Sequence, residues 1–292
     1  MPEILAYLPT YSPQTEADTE HLRQYARLPN DEIRQRVSLQ TSRSKPSMYF
    51  DAIDSILNTR PDIKLVVVDG RSTDSVREHL QKHIEANPDY NLWFLPEKTS
   101  QWLILNDVYK LYSTPETKYF VYTSSDVIWL QDWIGEAIKE FEKNPKLQIL
   151  FPCVSCGDPN LPCQIASGPR DIDPFKPPYQ TAAKAPVLNA YAMIFRMDFL
   201  RKYDGYPNLF RNCYTESFLH YLCEAIGGEM RVMPRGWCFH WGEGDKWTSP
   251  NSAYYYTEEY ALFQETMSNL KLAQGLGALT PEFLKKLLWK SE

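Results

Sequence analysis

The sequence predicts an α/β protein: a doubly wound, mainly parallel mixed sheet with helices on both faces and a helical extension at the C-terminus. Three observations lead there. Lys64 to Val68 (KLVVV) is β-branched and apolar on both faces, as in strands covered by helices on each side. Strand-like and helix-like stretches alternate from Ile4 to Phe151 at the spacing of crossover units. With 292 residues, the chain can bury one large core and carry extensions.

Each element follows from its residues. Ile4 to Leu8 is a short apolar run stopped by Pro9, which reads as a buried strand. Ser44 to Leu57 spaces Met48, Ala52, Ile53, Ile56 and Leu57 at helical intervals. The strand at Lys64 ends in Asp69-Gly70. Ser72, Thr73 and Asp74 then offer caps for a helix running to about Glu85. Asn91 to Leu95 predicts a strand, Trp102 to Leu111 a helix and Tyr119 to Thr123 a strand. Asp132 to Phe141 predicts a helix and Leu147 to Phe151 another strand.

Pro152 to Pro186 breaks the alternation with eight prolines and little periodicity, the mark of a long functional loop. Beyond it, Asn189 to Phe195 and Met230 to Met233 read as strands. Met197 to Tyr203, Glu216 to Ala225 and Tyr254 to Ala273 read as helices. Thr280 caps a last helix with Pro281 at its first position.

Composition narrows the function. Hydrophobic residues at 43% and charged residues at 23% match ordinary globular usage and exclude global disorder. A formal charge of -6 argues against nucleic acid as partner, which demands clustered Lys and Arg. No apolar run reaches the roughly 18–20 residues of a membrane span. The start, MPEILAYLPTYSP, lacks the pattern of a secretory leader, so a cytoplasmic protein is expected. Aromatics at 14% suit sugars or nucleobases and equally fill cores. Cys153, Cys156 and Cys163 could hold zinc if Cys238 and His240 completed the set; reduced, unpaired thiols are the plainer reading.

In doubly wound sheets ligands bind beyond the carboxyl ends of the strands. The first such turn, PTYSP, has no glycines for a dinucleotide pyrophosphate, and neither a P-loop nor a G-x-S-x-G elbow occurs. What does occur, in order, is LAYLPTY, LVVVDGRSTD and YFVYTSSDVIWLQDWIGEAIKEF. These segments resemble the nucleotide-sugar-binding half of GT-A-fold glycosyltransferases, family 2 above all. NAYAMIFRMDFLRKYDGYP, YTESFLHYLCEAIGGEMRVMP and FHWG resemble the acceptor half. The resemblance implies a GT-A-like domain over residues 1–245, with a nucleotide-sugar half at 1–130 and an acceptor half at 131–245. Residues 246–292 form the C-terminal helical extension.

It also implies transfer of a sugar from a UDP- or GDP-sugar to a carbohydrate or lipid-linked carbohydrate, as in polysaccharide biosynthesis, with inversion and with Mn²⁺ or Mg²⁺. A retaining transferase and a non-catalytic nucleotide-sugar or glycan binder are the alternatives. By the same resemblance, Pro9, Thr10, Tyr11, Asp69, Asn106, Ser124, Ser125 and Asp126 would contact the donor. Asp126 and His240 would hold the metal, and Glu216 would be the catalytic base. The sequence departs from the family where Gly70 replaces an acidic residue, Arg71 replaces a glycine and Ser124 replaces the first carboxylate of Asp-x-Asp.

Each residue also has a plainer reading. Asp126 fits a turn, Asp69 a cap beside Ser72 and Thr73, and Thr10 and Tyr11 ordinary turn positions. Glu216 fits a first-turn helix carboxylate, and His240 a core histidine between Phe239 and Trp241. Arg235 and Lys246 could neutralise a diphosphate or sit solvated. Trp237, Trp241, Trp247 and Tyr254 to Tyr256 could bind an acceptor sugar or seal the core. The basic amphipathic FLKKLLWK (Phe283 to Lys290) could touch an anionic membrane surface or simply pack.

Overall fold

The apolar run at Lys64 to Val68 is the second strand of an eight-stranded sheet. The structure is a computed structural model describing residues 3–10, 26–39, 45–96, 101–156, 191–207, 209–210, 214–240 and 252–288. The strands are β1 (Glu3–Thr10), β2 (Lys64–Asp69), β3 (Tyr90–Phe94), β4 (Thr117–Thr123), β5 (Val127–Trp129), β6 (Leu147–Cys156), β7 (Ala192–Arg196) and β8 (Glu229–His240). Their order is β3-β2-β1-β4-β7-β6-β8-β5. β1, β2, β3 and β4 run parallel, β7 is antiparallel to β4 and β6, β8 is parallel to β6, and β5 lies antiparallel on β8.

The helices are α1 (Asn30–Leu39), α2 (Lys45–Thr59), α3 (Asp74–Ala86), α4 (Gln101–Tyr112), α5 (Trp133–Lys143), α6 (Met197–Tyr203), α7 (Thr215–Ala225), α8 (Ser252–Gly275) and α9 (Pro281–Leu288). Leu65 to Val68 are buried on both faces of the sheet, as the double apolar pattern requires. Asp132 caps α5, its side chain accepting from Gly135 N at 2.9 Å. Thr280 caps α9, its Oγ1 accepting from Phe283 N at 3.1 Å. Thr73 holds the cap position of α3 without a side-chain bond to the helix, and the Ser72 hydroxyl before it donates to Asp69.

Several elements depart from the sequence reading: α1 and β5 were not anticipated, and β6 continues to Cys156, through the start of the stretch from Pro152 that was expected to be loop. β5 is three residues long, too short to show a period. β8 runs well past Met233, because its pairing with β6 shifts register between Phe151 and Cys153 and takes Pro234 into that irregularity. The cysteines described there, Cys153, Cys223 and Cys238, are buried free thiols, and Cys153 Sγ donates to Met233 O at 2.8 Å. Cys163, Cys213 and the Cys156 side chain lie outside the described residues, as does the loop from residue 157 to Pro186.

The extension shares the main core. Met267 and Leu270 of α8 and Leu284 of α9 are buried in the same apolar cluster as the strands, with Phe283 and Leu287 packed against it. Among the described residues no helix is long and apolar enough to cross a membrane.

Candidate active site

The carboxyl ends of β1, β2 and β4 and the far end of β8 converge on one region. Pro9 and Thr10 close β1, and Thr10 Oγ1 donates to Asp69 Oδ2 at 3.1 Å. Asp69 is fully buried and accepts three further bonds. Ser72 N and Arg77 Nε reach Oδ1 at 3.0 and 3.1 Å, and Ser72 Oγ reaches Oδ2. A carboxylate offers about four lone-pair sites, and the chain's own donors take all four. Arg77 also donates to Leu95 O at 2.7 Å and lies over the Phe94 ring, so it ties β2 to the end of β3. Asp69 is therefore the anchor of the β2–α3 turn. Tyr11 lies outside the described residues.

One departure from the family lies in that turn. Arg71 has φ of 71°, in the left-handed region that suits glycine. Arg71→Gly is expected to stabilise the fold by about 1 kcal/mol, because relief of the unfavourable backbone outweighs the added freedom of the unfolded chain. The check is a higher urea midpoint with unchanged slope.

The second carboxylate follows β4. Ser124 N donates to Tyr191 O at 2.7 Å, and Val127 N donates to Ser124 O at 3.2 Å, closing a tight turn over Ser125. Ser124 Oγ donates to Asp126 Oδ1 at 2.6 Å. The β5–β8 register sets Val127 opposite His240, and His240 Nε2 lies 3.0 Å from Asp126 Oδ2. The His240 ring stacks on Tyr191, centroids 4.1 Å apart. The structure thus brings Ser124, Asp126 and His240 together from two chain segments.

Burial would raise the Asp126 carboxyl, but the charge and hydrogen bond of His240 and the hydroxyl of Ser124 hold it well below the usual carboxylate range. A folded value below the unfolded one means that its stabilisation is complete above the ordinary carboxylate pKa. It is lost only as pH falls toward the folded value. At 26% side-chain exposure the ionised group remains reachable by a cation. The donor set is a carboxylate, an imidazole and a hydroxyl. Among the described residues no cluster of three or more His, Cys, Asp and Glu is present.

Glu216 enters from the other half, in the first turn of α7. Its neighbours are phenols that the sequence reading missed. The Tyr122 hydroxyl is pushed up by burial, then by Asp126 and Glu216; that of Tyr206 is pushed up by burial, then by Glu216 and Tyr122. Both carboxylates therefore act on one buried phenol at the end of β4. Asn106 is tied to the same tyrosine: its Nδ2 donates to Tyr206 O at 2.9 Å and its Oδ1 accepts from Tyr206 N at 2.7 Å. That clip holds the Tyr206 ring stacked on Trp102, at 5.0 Å. Arg235, Trp237 and Tyr254 to Tyr256 have undescribed side chains, and Trp241, Lys246 and Trp247 lie outside the described residues.

Known proteins share this fold. The family described as Glycosyl transferase family 2 matches residues 51–204, more than half of the chain. The chain belongs to glycosyl transferase family 2. No curated protein matches it in sequence. Among solved structures, this family 2 chain is similar to GalNAc-T7 with UDP, GalNAc and Mn²⁺, at 11% identity and a TM-score of 0.62, covering 98% of this chain and 54% of that one. It is similar to the mannosyltransferase PcManGT from Pyrobaculum calidifontis in complex with GDP-Man and Mn²⁺, at 16% identity and a TM-score of 0.56, covering 98% and 73%. It is also similar to S. aureus TarS 1-349, at 12% identity and a TM-score of 0.51, covering 82% and 60%. The chain thus spans less than two thirds of TarS 1-349 and of GalNAc-T7. These likenesses establish the GT-A fold for this family 2 member.

Proposed function

We propose that the chain transfers a glycosyl group from a UDP- or GDP-sugar to a hydroxyl of a carbohydrate or lipid-linked carbohydrate, with inversion at the anomeric carbon. The observation that carries this reading is the Ser124–Asp126–His240 cluster at the carboxyl end of β4, in a family 2 chain that sets Glu216 in the first turn of α7. A carboxylate on the diphosphate side and a base on the acceptor side suit in-line displacement. Two neighbours support the donor class, one solved with UDP and one with GDP-Man.

In this mechanism the acceptor oxygen attacks the anomeric carbon as the bond to the diphosphate oxygen breaks. Glu216 accepts the hydroxyl proton while the new glycosidic bond forms. Asp126, fixed by Ser124 and His240, faces the diphosphate side. Asp69, with no acceptor capacity left, keeps the β2–α3 turn in place beneath the nucleotide rather than reading its base. Mn²⁺ or Mg²⁺ fits the residues present, since Asp126 and Ser124 would offer the hard oxygen ligands that both ions take, and the neutral form of His240 would add an imidazole nitrogen. When bound, the ion neutralises charge on the leaving diphosphate.

The test is a panel of UDP- and GDP-sugars with simple glycosides, with and without EDTA, following nucleotide release and product configuration by NMR. The expected outcome is EDTA-sensitive release of UDP or GDP with an inverted product. A retained configuration would reassign Glu216 to orienting substrate. Nucleotide binding without turnover would make the chain a binding protein.

A further inference from the structure

The two halves of the Ser124–Asp126–His240 cluster belong to different ladders. Ser124 follows β4, which pairs with β7, while His240 ends β8, which pairs with β6 and β5. β6 stands between β7 and β8 in the sheet, so no backbone ladder joins those two strands. Tyr191, one residue before β7, touches both halves. Thr123 and Ala192 are register partners, and the next step of that ladder is the bond from Ser124 N to Tyr191 O at 2.7 Å. The Tyr191 ring lies on the His240 ring, centroids 4.1 Å apart and planes 25° apart, and packs against the apolar core.

These two contacts do different things. The carbonyl bond holds the Ser124 turn, and any residue at position 191 would supply it. The ring contact depends on the side chain. A histidine ring turns broadly about its outer side-chain bond. Its pairing with Asp126 Oδ2 at 3.0 Å sets where the Nε2 edge points, but by itself still allows the ring to tilt about that contact. A flat neighbour against the imidazole face removes the tilt, and an aromatic ring does this better than an aliphatic chain. Groups that orient a ligating side chain in this way raise the affinity of a site without meeting its ligand.

We propose that Tyr191 is a positioning residue of the donor site: its ring holds the His240 imidazole in the plane in which Asp126, Ser124 and His240 together bind a diphosphate-bound divalent cation. The inference rests on reading those three residues as the holders of that ion. Tyr191 acts through His240 and the Ser124 turn, not by contact with the nucleotide.

The test uses the full chain with ¹³C-labelled histidine, of which there are five. His240→Gln identifies the His240 signal by its loss. The face of an aromatic ring shields protons that lie over it. Tyr191→Leu is therefore expected to move the His240 Hε1 resonance downfield and to leave that of His83, packed on Phe50, in place. Melting curves with UDP and GDP, with and without Mn²⁺, should show Mn²⁺-dependent nucleotide binding weakened about fivefold in Tyr191→Leu. Metal-free shifts should not change. Tyr191→Phe keeps the ring and should restore both the resonance and the affinity. Tyr191→Met repeats the comparison if leucine lowers the melting point of the ligand-free chain. An unmoved His240 resonance, unaltered Mn²⁺-dependent affinity, or a loss in Tyr191→Phe equal to that in Tyr191→Leu overturns the positioning role. Absence of any Mn²⁺-dependent shift in the unaltered chain defeats the donor-site reading and the proposal with it. A shift in the unaltered chain that Tyr191→Leu fully retains defeats the proposal alone.

Discussion

Glu216→Gln is expected to lower kcat by about 10²–10⁴-fold and leave donor affinity nearly unchanged. Glutamine keeps the size of the side chain and much of its hydrogen bonding at the first turn of α7, but it cannot take the acceptor's proton. The interaction lost exists only as the glycosidic bond forms, so kcat and kcat/KM should fall together. Donor contacts should survive, because Ser124 and Asp126 belong to a different segment that β7 and β8 hold. Steady-state kinetics with varied donor and varied acceptor provide the check. Wild-type turnover in the glutamine variant would remove Glu216 from the base role.

Asp126→Ala is expected to abolish the metal-dependent part of nucleoside diphosphate binding. Asp126 is the carboxylate of the Ser124 turn, and its loss leaves only an imidazole and a hydroxyl for the ion. A ligand at 100 times its dissociation constant adds about 2.7 kcal/mol of stability, so the loss is visible in a melting curve. UDP or GDP with Mn²⁺ should shift the unaltered chain and fail to shift the variant, while shifts without metal should agree. Equal metal-dependent shifts in both proteins would separate Asp126 from the ion.

The parallel half of the fold was legible because its strands are buried on both faces, and Ile4 to Leu8 and Lys64 to Val68 need no partner to be recognised. β8 was read only to Met233, since Pro234 ordinarily ends a strand. The register shift beside Phe151 carries the chain past it and delivers His240 to Asp126. The order of motifs gave the family, and Asp126 and Glu216 stand as its candidate site residues by that resemblance. How Asp69 is satisfied was hidden, because helical spacing puts Arg77 on a face without saying what that face meets. Tyr122 and Tyr206 were equally unreadable: a buried phenol among many tyrosines becomes informative only when the carboxylates around it are located.

The pairing of β5 with β8 has a consequence for how the molecule is assembled. Asp126 emerges in the middle of the chain, whereas His240 comes only after β6, β7, α6 and α7. Closing so long a loop is entropically unfavourable and kinetically slow compared with pairing the early parallel strands. The sheet core can therefore consolidate while the acid still lacks its imidazole, and the pair is completed only when the last strand docks along two neighbours. During synthesis, β1 to β4 can become ordered before this strand exists. Competence to engage a charged donor is thus conferred late, by the docking of the same strand that brings Val232, Met233 and Cys238 into the core.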